Sequence, residues 1–141
     1  MTNFNDTLLK VINEKKLYAS QFAEMVDIRT STFYDLLRSE NPTLKNTLKI
    51  VDYLNSSLDF FEKKTTTFHC KYKKGYKVDL VKSLKTYLKK NKVSYVKLCE
   101  DIGLSKANIS RWKHGDAPKY QTVVKLANYF NESIDKFIGR T

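Results

Sequence analysis

Glycine, proline and cysteine are all scarce: four, two and two residues among 141, with a single tryptophan. So few glycines leave no glycine-rich loop to cradle a phosphate. No nucleophile, base or carboxylate pair converges elsewhere, so the reading is of a protein that is not an enzyme. Cys70 and Cys99 make no disulfide framework and are expected as free thiols in a reducing compartment. With His69 and His114 they reach the ligand count of a zinc site, but no CxxC or HxxxH spacing occurs, so neither metal nor cofactor is expected. No apolar run approaches the roughly 18 residues of a membrane span. The start, MTNFNDTLLK, lacks the basic and apolar regions of a signal peptide, and the expectation is a cytoplasmic chain without membrane association.

Acidic residues are also in the minority. Against 15 Asp and Glu stand 26 Lys and Arg, a formal charge of +11 that favours polyanions such as nucleic acid. The excess is uneven. Residues 1–61 carry 7 basic and 8 acidic side chains, residues 62–78 carry 6 and 1, and residues 79–141 carry 13 and 6, for nets of −1, +5 and +7. A binding surface is therefore sought in the middle and second half.

What the chain does contain is an internal repeat. At an offset of 76 residues, KKLYASQFAEMVDI aligns with NKVSYVKLCEDIGL and the remainder follows without a gap. Identical pairs include Leu8/Leu84, Glu24/Glu100, Pro42/Pro118, Tyr53/Tyr129, Asn55/Asn131, Ser57/Ser133, Asp59/Asp135 and Phe61/Phe137. Apolar character persists at Phe22/Leu98, Phe33/Ile109 and Leu36/Trp112. Each copy shows helical spacing, as in Phe4, Leu8, Ile12 and Leu80, Leu84, Leu88. In the second copy Ser94 is placed to cap a helix ending near Ile102, Gly103 suits a left-handed turn, and Ser105 is placed to cap a third helix through about His114. Gly115 and Pro118 break the chain before a fourth helix from Tyr120 to Phe130, and Ser133 opens a short fifth. The expected fold is all-α, with two tandem five-helix domains at 1–61 and 79–141. Residues 62–78 form a basic linker, or a short strand in which Phe68, Cys70 and Tyr72 alternate with polar residues and pair across a second subunit.

The run YVKLCEDIGLSKANISRWKHGDAPKYQTVVKLANYF resembles the phage-repressor, Cro/C1 (XRE-type) helix-turn-helix family over most of residues 80–138. The resemblance rests on a small residue followed by an acid, the turn Gly103, the run Leu104, Ser105, Asn108, Ile109, Ser110, Trp112, and then Gly115 and Pro118. Residues 4–61 match less well, with Asp27 and Ser39 in place of Gly103 and Gly115.

That resemblance implies a lambda-repressor-like fold whose third helix lies in the DNA major groove, and a regulator, most simply a repressor, acting by operator occupancy. Helical geometry turns Ile109 and Trp112 inward and leaves Lys106, Ala107, Asn108 and Arg111 to face the bases. Helix N-termini and flanking cations give the phosphate candidates Ser94, Tyr95, Ser105, Lys113, His114, Lys119, Tyr120 and Gln121. Tyr95 and Ala19 stand where many family members have a glutamine. In the first copy Arg29, Thr30, Ser31, Thr32 and Arg38 are weaker candidates, because Asp35 replaces Arg111 and repels phosphate. The implied partners are double-stranded DNA and a second copy of the chain on a palindromic site. The near-neutral first copy supports an alternative, a protein-interaction module serving as inhibitor, antirepressor or antitoxin. Trp112 reads as core rather than a base-stacking residue, and Cys99 as a small buried apolar group. Lys82, Lys85, Lys89, Lys90 and Lys92 either track phosphates or form a solvated helix face.

Overall fold

The computed structural model describes residues 2–38, 42–72 and 78–141. Among these the chain is all-helical, with ten helices and no strand, and it divides into two units, Met1–Tyr72 and Lys73–Thr141.

The first unit contains α1 (Asn3–Glu14), α2 (Ala19–Met25), α3 (Thr30–Arg38), α4 (Leu44–Tyr53) and α5 (Leu58–Phe61). Hydroxyl caps start three of them. Thr2, Thr43 and Ser57 accept the backbone N–H of Asn5, Asn46 and Phe60 at 3.3, 3.3 and 3.0 Å, each satisfying a donor that the helix itself leaves open. Gln21 caps the start of α2 in the opposite sense, its Oε1 accepting the Tyr18 N–H at 2.8 Å. The apolar faces meet in a core where Phe4, Leu8, Phe22, Phe33, Ile50, Leu58 and Phe61 are wholly buried. Phe4 packs on Phe61 with ring centroids 4.9 Å apart, and Phe22 on Phe33 at 5.7 Å. Residues 62–72, expected as linker, belong to this unit. The Phe68 ring stands edge-on to Phe60 at 5.0 Å, and the Cys70 N–H donates to the Asn55 carbonyl at 2.8 Å. Residues 68–72 form no strand, and the rest of that expectation, at 73–77, lies outside the described residues, as does Ser39.

The second unit contains α6 (Leu80–Asn91), α7 (Tyr95–Ile102), α8 (Ala107–Lys113), α9 (Tyr120–Tyr129) and α10 (Ile134–Phe137). Asp79, Ser94 and Ser133 cap α6, α7 and α10 by accepting from Lys82, Lys97 and Lys136 at 3.1, 3.1 and 3.2 Å. Leu84, Leu98, Val123, Leu126, Ala127 and Ile134 are fully buried. Tyr87, Phe130 and Phe137 stack beside them, and the Tyr87 hydroxyl donates to Glu132 at 3.0 Å.

The left-handed residues that end the helices keep the repeat's offset of 76: Lys16/Lys92, Asp27/Gly103, Asn55/Asn131 and Lys63/Gly139, with φ of 56/54, 60/71, 53/52 and 60/79°. A Cβ in that region costs roughly 1–2 kcal/mol, so Gly103 makes the turn between α7 and α8 with less strain than Asp27 makes its counterpart. α4 and α9 keep equal bounds at the same offset, as do α5 and α10.

The units differ in how the third helix is seated. In the first, α3 packs chiefly on α2 and buries Phe33 and Leu36 at 0 and 3% exposure. In the second, α8 packs chiefly on α6 and none of its residues is fully buried. Ile109 and Trp112, expected as core, are only half-buried. A side chain as large as an indole is not enclosed completely on a seven-residue helix that buries none of its positions, and that is the physical reason for the correction.

Candidate nucleic-acid interface

α7, the Gly103 turn and α8 set the geometry of the surface. Ser105 does not begin the helix. Its hydroxyl accepts the Ala107 N–H at 3.3 Å and its carbonyl accepts the Asn108 N–H at 3.1 Å, a tight turn that delays α8 to Ala107. The Tyr95 hydroxyl reaches across from the start of α7 and donates to the same Ser105 carbonyl at 3.1 Å. Tyr95 thereby ties the first turn of α7 to the entry of α8. Burial, then a hydrogen bond with the Cys99 thiol, pushes its phenol up to about 12, so it remains a donor throughout the physiological range. No spacing rule announces this tie, which joins residues ten apart through a turn.

The expected base-reading residues fall on α8 and its N-cap, Lys106. Lys106, Ala107, Ser110 and Arg111 are exposed and Asn108 is half-buried. Lys106 and Arg111 make no ion pair among the described residues, so their donors are available to an incoming acceptor. Lys113 and His114 are exposed at the C-terminal end of α8.

The phosphate candidates are less uniform. Ser94 is exposed, with its hydroxyl engaged in capping α7. Lys119 is exposed at the start of α9, and Gln121 is half-buried. Tyr120 is wholly buried. Its ring fills the interior, so its side chain is not available to a phosphate.

On the opposite flank of α7, Asp101 accepts a hydrogen bond from the Tyr129 hydroxyl at 2.7 Å and lies 3.1 Å from the Lys97 ammonium. These donors hold its carboxyl below the usual carboxylate range, the Tyr129 hydroxyl first and Lys97 second. The same contact raises the Tyr129 phenol. The triad consumes one of the few negative charges on α7 and fastens that helix to α9.

The corresponding surface of the first unit is different. Arg29, Thr30 and Ser31 are exposed on and before α3, and Thr32 is half-buried. Arg38 donates to Asp35 at 2.9 Å, both side chains about three-quarters exposed. The acid at the position of Arg111 thus neutralises the cation one turn on. Large apolar side chains are exposed here instead: Tyr18 at 77%, Met25 at 44%, Tyr34 at 42% and Tyr53 at 42%.

Residues 84–137 match the family model described as Helix-turn-helix. No curated protein and no solved structure matches the chain. The matched segment runs from within α6 to the end of α10, so the second unit carries a helix-turn-helix domain with α7 and α8 as its two central helices. This supports a DNA-binding transcription regulator. Among the described residues no group of three or more His, Cys, Asp or Glu side chains is placed to hold a metal ion, and no helix is long and apolar enough to cross a membrane.

Proposed function

We propose that this protein is a sequence-specific repressor of the XRE type that acts in the cytoplasm by occupying a duplex DNA operator, without chemistry of its own. The observation that carries the reading is the exposed face of α8, where Lys106 and Arg111 stand without ion-pair partners among the described residues. In the major groove Arg111 and Lys106 donate to guanine O6 and N7, while Asn108 bonds an adenine edge or a phosphate. Lys113, His114 and Lys119 hold the flanking backbone, and the positive end of the α7 dipole adds to it. Two copies of the chain on a palindrome present two such helices. The first unit is a second, weaker copy of the same domain, its reading helix α3 muted by the Asp35–Arg38 pair.

The test is Arg111→Ala in the full chain, on a duplex enriched from random sequence. Loss of one bidentate base contact costs about 1–3 kcal/mol, or roughly 5- to 150-fold in affinity. Unchanged affinity and sequence preference would remove Arg111 from the interface.

A second reading has its own observation, the exposed Tyr18, Met25, Tyr34 and Tyr53 of the near-neutral first unit. Aromatic and methionine side chains are favoured at protein interfaces. In that reading the first unit grips a protein partner, and a complex so formed survives Arg111→Ala.

A further inference from the structure

α6 carries a stripe of cations that α8 does not account for. Lys82, Lys85 and Lys89 are exposed and lie within an arc of about 60° at 3.6 residues per turn, opposite the buried Leu80 and Leu84. Lys92, exposed at the C-cap, follows less than a turn later. None of the four is ion-paired among the described residues, and α6 itself contains no acid; the cap Asp79 accepts a backbone N–H, and Glu132 meets α6 at Tyr87, away from the stripe. Lys90 turns away, its ammonium 5.7 Å from the centre of the Tyr87 ring.

Helix stability does not explain the stripe. Like charges three and four residues apart are unfavourable on a helix. The macrodipole favours Lys89 and Lys92 at the C-terminal end but opposes Lys82, which sits in the first turn. The fold does not require it either, because α1 occupies the same place in the first unit. There the equivalent positions are Asp6, Leu9, Asn13 and Lys16, and Asp6 is paired with Lys63 at 2.7 Å and Lys10 at 3.5 Å. One helix position in one chain thus exists in a neutralised and in a bare cationic form, and the cationic form belongs to the unit that carries the helix-turn-helix match.

We infer that the exposed face of α6 is a second phosphate-binding surface, by which the second unit grips the backbone of duplex DNA in addition to the contacts of α8. The inference rests on the proposed DNA-binding function and extends it. Lys82 to Lys89 span about 10 Å at 1.5 Å per residue, comparable to the axial rise of roughly three base pairs at 3.4 Å each. A lysine is a flexible point charge, suited to phosphate rather than to base edges. The surface therefore adds affinity on every sequence alike.

The experiment is a salt titration of the full chain on a random-sequence 40-bp duplex, repeated with Lys82→Gln, Lys85→Gln, Lys89→Gln and Lys92→Gln combined. Each phosphate contact contributes about −0.9 to the slope of log K against log salt, so the four-site variant should have a slope shallower by about 3 to 4. Lys→Arg at all four positions should keep the parent slope. Single Lys82→Gln and Lys85→Gln variants, each expected to lose about 0.9, decide the matter if the combined variant does not fold. A parent slope retained in the Gln variants overturns the inference while leaving the functional reading intact. Retained slope on DNA together with lost binding to phosphatidylserine vesicles also overturns it and assigns the face to a membrane. A parent protein that binds no duplex overturns both.

Discussion

Replacing Arg140 with alanine should strongly destabilise the second unit. The Arg140 guanidinium donates to Asp135 Oδ1 at 2.7 Å, with the two side chains 3 and 0% exposed, and its backbone N–H donates to the Asp135 carbonyl at 2.9 Å. Gly139, at φ 79°, turns the chain back so that both contacts form just past α10. Removing one member strands a buried charge, at a cost of about 3–5 kcal/mol. A unit of about 70 residues has roughly 3–10 kcal/mol of stability in all. The variant should therefore lose between about a third and all of it, with a fall in Tm of about 12–40 °C. The single tryptophan, Trp112, is half-buried on α8, so its fluorescence during urea unfolding follows the second unit selectively. Asp135→Leu with Arg140→Met should restore much of the stability, because a well-packed apolar pair replaces a buried ionic one at little cost. A loss below about 1 kcal/mol for Arg140→Ala would show that the pair contributes little and that the unit is held by its apolar core alone.

Tyr95→Phe should cost about 0.5–1.5 kcal/mol of stability through the lost bond to Ser105, and should weaken operator binding more than it weakens binding to random duplex, which paired titrations measure. Asp101 has a folded-state pKa below its unfolded value, so its contribution is present above the ordinary carboxylate range and is lost as pH falls through the depressed value. Its side-chain carboxyl resonance should titrate below the usual range, and in Tyr129→Phe should move back toward it. Asp6, held low first by its hydrogen bond with Lys63, should behave in the same sense, and Lys63→Gln should raise it.

The repeat made most of the fold legible. Hydroxyl residues at Ser57, Ser94 and Ser133 marked helix starts because a side-chain acceptor is needed there, and Gly103 marked the turn because a left-handed residue is needed there. Local rules of this kind carry their own positions. The seating of α8 was not legible, because apolar spacing says which side of a helix is inward but not how many neighbours enclose it. Trp112 and Ile109 are half-buried for that reason, and Tyr120 is interior although its place at a helix N-terminus suggested an anion contact. The polar ties of Tyr95 to the Ser105 carbonyl, Tyr129 to Asp101 and Arg140 to Asp135 form through tertiary geometry or a turn, and no spacing rule announces them. Charge was legible by segment and by position, but its pairing was not. The pairing of Arg38 with Asp35, against the unpaired Arg111 at the position of Asp35, distinguishes the two units more sharply than their net charges do.

The most direct test of the account is selection of the full chain against a random-sequence duplex pool, with Arg111→Ala run in parallel. The parent should enrich a discrete site and bind it with a steep salt dependence, and in the variant that site should be lost or relaxed at specific base pairs. No enriched sequence from the parent, or the same site enriched with equal strength by Arg111→Ala, would contradict the assignment of α8 as the helix that reads DNA.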